Sequence, residues 1–82
     1  MISQETKDWA SKKFDIPAKD IVWYNHGSCY DRIIVKTEES AKKVHEKVKG
    51  ERVNGGMLDG MPLGGISELK SQDGIIEYDV TC

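Results

Sequence analysis

His26 and Cys29 stand three residues apart, and Cys82 is the last residue of the sequence. Imidazole and thiolate are the side chains that ligate soft metals and, given an activating neighbour, attack carbonyl carbon. Three states are therefore open to the two cysteines: free thiols in a reducing compartment, a disulfide, or metal ligands together with His26. Free thiols are the leading reading, and a three-ligand metal site is the least favoured. His45 falls on a predicted helix and His26 on a predicted turn, and no Ser/His/Asp order or Cys-His pairing has the context a nucleophile needs. The carboxylate pairs have structural explanations. Glu38 and Glu39 suit the positive end of a helix dipole, and Glu77 and Asp79 fit the solvent side of an alternating strand. The expectation is a chain with no catalytic residues, no metal site and no cofactor.

Five of the eight glycines fall in the run from Val53 to Ile66. Such a run invites comparison with a phosphate-binding loop, which needs a Lys-Ser/Thr pair after its last glycine and a helix whose N-terminal amides meet the phosphate. Here Gly65 is followed by Ile66-Ser67-Glu68-Leu69, and neither condition is met. Asn54-Gly55 and Asp59-Gly60 are instead turn dipeptides whose residues tolerate positive φ. The run reads as a structured loop.

What remains for binding is an aromatic and basic set on a predicted hairpin, Trp23, Tyr24, Tyr30 and Arg32. The loop residues Asn54, Met57, Asp59 and Met61 join it. Aromatic rings and arginine on rigid strands are the side chains that anchor protein interfaces. These eight residues are the candidate partner-binding set.

The elements that must position them follow from periodicity. Ser3 is a candidate N-cap for a helix over Gln4 to Phe14, with Thr6, Ala10 and Phe14 on one stripe beside Trp9 and with Asp8 and Lys12 one turn apart outside. Pro17 forces the preceding residue into extended geometry, so this helix stops at Asp15 or Ile16. Asp20 to Tyr24 and Tyr30 to Lys36 are β-branched and aromatic, and Asn25-His26-Gly27-Ser28 between them supplies a turn. Ile33 and Val35 then face the core, with Tyr30, Arg32, Ile34 and Lys36 opposite. Thr37 caps a second helix over Glu38 to Lys49, with Ala41, Val44 and Val48 on its buried face and Gly50 as its stop. Gly65 to Lys70 is extended, Ser71 to Gly74 turns, and Ile75 to Thr81 alternates with Ile76, Tyr78 and Val80 on one face. The fold class is α+β, order αββαββ, with two helices on one face of an antiparallel sheet in a single domain spanning residues 1–82.

From Tyr30 to Ile66 the chain resembles the second half of an RNA-recognition motif or other ferredoxin-like domain. The likeness lies in a strand, a Glu/Ser/Ala-Lys-Lys helix, a Gly, and an Asn-Gly…Asp-Gly turn before the next strand. It covers under half of the chain and is one of layout. The resemblance implies RNA binding through aromatic strand motifs, but Arg32, Ile33 and Ile34 stand where base-stacking rings belong. The first strand of that fold is also missing. The C-terminal strand can take its place as the antiparallel neighbour of the strand beginning near Tyr30, which would make a circular permutation; the competing arrangement puts it at a sheet edge. In the permuted form Cys82 approaches Cys29.

Composition narrows the function classes. A net charge of −2 and 32% charged residues argue against general attraction to phosphate backbones. The charge is uneven, with ten Lys/Arg against eight Asp/Glu in residues 1–50 and two against six in residues 51–82. No stretch approaches the ~18 apolar residues that span a bilayer, and Met1 to Asp20 has no signal-peptide pattern, so a cytoplasmic location is expected. The first function expected is a small non-enzymatic protein-binding module, an inhibitor or adaptor, similar in size and composition to the accessory proteins of bacteriophages and mobile elements. The second is a single-stranded nucleic-acid binder that stacks bases on the aromatic set and contacts phosphates through Lys42, Lys43 and Lys47.

Overall fold

A computed structural model describes residues 2–82. Helix α1 spans Gln4–Phe14, and Ser3 caps it by accepting from the Thr6 amide at 3.2 Å. The helix ends where Asp15 turns left-handed at φ 56, ahead of Pro17. Ala10 and Phe14 are wholly buried, so the predicted stripe is the packed face. Burial of the Phe14 ring contributes on the order of 2–3 kcal/mol. Trp9, one residue off that stripe, is half exposed. Asp8 accepts from Gln4 Nε2 at 2.9 Å rather than pairing with Lys12.

A single 3-10 turn, Ala18–Asp20, leads into β1, Ile21–His26, which pairs antiparallel with β2, Asp31–Val35. The register of this hairpin shifts between Ile21 and Trp23, a bulge that brings Ile21 and Tyr24 to the same buried face, while strand alternation leaves Trp23 on the opposite one. Helix α2 spans Glu38–Val48, capped by Thr37, whose hydroxyl accepts from the Ser40 amide at 3.1 Å. Ala41, Val44 and Val48 are buried as their spacing requires, and Gly50 follows at φ +87. After the loop come β3, Ile66–Lys70, and β4, Ile76–Thr81.

The sheet order is β1-β2-β4-β3, antiparallel throughout. The C-terminal strand therefore lies inside the sheet, between β2 and β3, and β3 takes the edge. Val80 explains the placement: it is fully buried, opposite Ile33 of β2 and Ile66 of β3. The two helices and a four-stranded antiparallel sheet make a small α+β fold. Kinship with ferredoxin-like proteins is a separate matter that strand order does not carry. Residues of α1, α2, β1, β2 and β4 meet in one apolar cluster that includes Phe14, Ile21, Ile33, Val35 and Val44. Strand β3 contributes no buried residue. No helix among the described residues is long and apolar enough to cross a membrane.

Two sequence expectations are corrected by packing. Tyr24 is not a surface ring: it is 8% exposed and belongs to the core cluster. Asp79 is on the strand face expected but is not solvated, because Arg32 of the neighbouring strand pairs with it and covers it.

Candidate functional site

The β1–β2 hairpin is organised by one carboxylate. Asp31 accepts hydrogen bonds from the Tyr24 hydroxyl, from His26 Nδ1 at 2.9 Å and from the Gly27 amide at 3.3 Å. Burial by itself would raise the Asp31 pKa, but the hydrogen bonds from Tyr24 and His26 outweigh it and hold the carboxyl below its ordinary range. Burial, with the bond to Asp31, pushes the Tyr24 phenol well above its ordinary value. The Asp31 carbonyl also accepts from the Cys82 amide at 2.7 Å, so the end of β4 is tied to the start of β2.

Beyond this anchor the hairpin turn faces the glycine-rich loop. The loop is itself built as a short hairpin: the Val53 amide donates to the Met61 carbonyl at 2.8 Å, and Arg52 bridges Pro62. Asp59 accepts from the Gly55 amide at 2.6 Å, and Gly55, Gly56 and Gly60 all have positive φ. A Cβ on Gly56 would lie 3.2 Å from Cys29 Sγ, so the loop rests directly on the hairpin turn. The returning chain is fastened to α2 by His45, whose Nδ1 lies 2.8 Å from the Gly64 carbonyl oxygen.

Between turn and loop lies a cleft of about 470 Å³ lined by Asn25, Ser28, Cys29, Tyr30, Arg32, Met57 and Leu58, among others. Met57 is fully exposed at the loop tip, and Leu58 beside it is 42% exposed. Arg32 joins the cleft to the outer face of the sheet. Its guanidinium stands 6.0 Å from the centre of the Trp23 ring while pairing with Asp79, and that pairing raises its pKa.

The structure brings Tyr30, Arg32 and Met57 together at the cleft and places Trp23 next to them through Arg32. Asn54 is exposed but outside the cleft lining, while Asp59 and Met61 shape the loop by hydrogen bonding. Tyr24 lies beneath the surface, edge-on to Trp9 with ring centres 5.4 Å apart. Sequence reasoning missed Ser28 and Leu58, which line the cleft, and Asp31, which holds it, and it singled out Cys29 for its thiol rather than as part of the cleft lining. Asp31 could have been suspected as an acid on the same strand face as Ile33 and Val35, just after a turn.

Both cysteines are free thiols. Cys82 is packed against the core, and burial, reinforced by Asp31, pushes its thiol up to about 12. Among the described residues no group of three or more His, Cys, Asp or Glu is arranged to hold a metal ion.

A second, larger groove of about 510 Å³ runs between the end of α1 and α2. Its lysines alternate with Glu38, Glu39 and Glu46, and Lys42 is paired with Glu38 at 2.9 Å. No protein-family model matches the chain. No curated protein matches it, and no solved structure does.

Proposed function

We propose that this chain is a small non-enzymatic protein-binding module whose contact surface is the cleft between the β1–β2 turn and the glycine-rich loop, extended over the sheet by Arg32 and Trp23. The observation that carries this reading is Met57, fully exposed at the rim of a concave surface that is braced from below. A solvated methionine is an adaptable apolar contact, and it gains most when a partner covers it. Tyr30, Arg32 and Trp23 supply the aromatic and arginine anchors that dominate interfaces. An inhibitor or adaptor role of the kind served by phage accessory proteins fits a domain that offers shape rather than catalytic groups.

Affinity capture from the native host, with the wild-type chain beside Met57→Asp and Trp23→Ala variants of unchanged circular dichroism, tests the reading. The proposal expects a specific protein retained by the wild type and lost by both variants. Nucleic acid measured in the same eluates tests the alternative. Two features weigh against that alternative. Helix α2, with its lysines, packs on the inner face of the sheet while Trp23 and Arg32 lie on the outer face, and those lysines are interleaved with glutamates.

A further inference from the structure

We propose that β3 is a self-association edge, through which two copies of this chain pair antiparallel and join their sheets. All five residues of Ile66–Lys70 are exposed, on both faces of the strand. Among the described residues, four of the seven exposed large hydrophobics, Ile66, Leu69, Ile75 and Ile76, belong to this hairpin. The opposite edge, β1, is bulged and is packed by α1, two features that protect an edge from pairing. Strand β3 has neither protection: its five pairs with β4 keep one unbroken register.

The hydrogen-bond phase of β3 fixes which backbone groups are free. The Gly65 carbonyl accepts from Thr81 at 3.2 Å, and the Ser71 amide donates to Ile75 at 2.9 Å. In an antiparallel ladder hydrogen-bonded positions alternate, so residues 65, 67, 69 and 71 bond inward to β4. The amides and carbonyls of Ile66, Glu68 and Lys70 therefore point outward, unpaired within the sheet.

Charge selects both the partner and the register. A two-fold axis at Glu68 would set Glu68 against its own copy, and like charges directly opposite are destabilising. Moving the axis to Leu69 sets Glu68 of each copy against Lys70 of the other at hydrogen-bonded positions, and Leu69 against Leu69 at the closer, non-hydrogen-bonded position. Among the described residues neither Glu68 nor Lys70 has an ion-pair partner within its own chain. A second copy supplies both charges, in an isologous contact that closes on itself.

Sedimentation equilibrium of the purified chain, up to about 1 mM, tests the proposal. The wild type is expected to dimerise, Glu68→Lys and Lys70→Glu to weaken the dimer at least about tenfold each, and the double swap to recover it to within about threefold. Leu69→Cys, in a Cys29→Ser/Cys82→Ser background, is expected to form a disulfide-linked dimer on mild oxidation. A wild type that stays monomeric at 1 mM overturns the proposal. So does a dimer indifferent to the charge variants, or one that Leu69→Cys fails to cross-link. None of these residues lines the Met57 cleft, so the outcome is separable from that of partner capture.

Discussion

The Tyr24 hydroxyl donates to the Asp31 carboxylate across the β1–β2 hairpin, and both groups are almost fully buried. A charged acid at the edge of an apolar core is tolerated only when its oxygens are occupied. Here the phenol, the His26 imidazole and the Gly27 amide occupy them. Tyr24→Phe removes one donor and leaves the carboxylate short of a partner, a change expected to cost about 1–3 kcal/mol. Urea unfolding of the variant measures it, and an unchanged midpoint would show that the bond contributes nothing net.

The same pair makes stability depend on pH at both ends. Asp31 is depressed in the folded state, so the unfolded chain binds more protons in acid; its contribution is full above about 4 and lost as pH falls through the folded value. Tyr24 is raised, so its contribution is full below about 10 and lost as pH climbs beyond. Thermal melts from pH 2 to 11 are expected to fall at both extremes, and Tyr24→Phe should flatten the alkaline fall specifically.

Gly64 has φ +93, and a Cβ there would stand 2.7 Å from His45 Nδ1. Gly64→Ala is expected to destabilise by about 1–3 kcal/mol, through the left-handed backbone and the displaced imidazole together. His45→Gln relieves the crowding but not the backbone strain, so the double variant should recover part of the loss. Recovery of all of it would mean the strain is negligible.

The cysteines should differ in reactivity. Burial keeps the Cys82 thiol protonated near neutrality, and thiolate is the reacting form. Iodoacetamide followed by peptide mapping is expected to label Cys82 at least about tenfold more slowly in the native chain than in denaturant. Equal rates would place the thiol in solvent.

Trp23→Ala and Met57→Ala should leave the melting temperature within about 2 °C of wild type, since neither residue belongs to the buried cluster. Each should weaken partner binding by more than about 1 kcal/mol. Titration calorimetry against the captured protein separates the two effects; unfolding of either variant would assign that side chain to the fold instead.

By itself the sequence determined the local elements of this protein, because each rests on near-neighbour chemistry. Ser3 and Thr37 cap their helices, and Pro17 limits the first. The spacing of Ala41, Val44 and Val48 marks the buried face of the second helix, and the Asn-Gly and Asp-Gly pairs mark turns. Only the tertiary structure decided what depends on strands meeting across long stretches of chain. Trp23 and Tyr24 are adjacent aromatics on alternating faces, and the bulge before them decides which is which, Trp23 outward to Arg32 and Tyr24 inward to Asp31. Asp79 reads as a solvated strand residue until β4 is inserted beside β2, 47 positions earlier, where Arg32 covers it. The cleft is likewise invisible locally, because it forms only when a loop around Met57 folds back over a turn at Cys29. Pairing order and register are global properties, set by which apolar faces must share one core, and no window of neighbouring residues contains them.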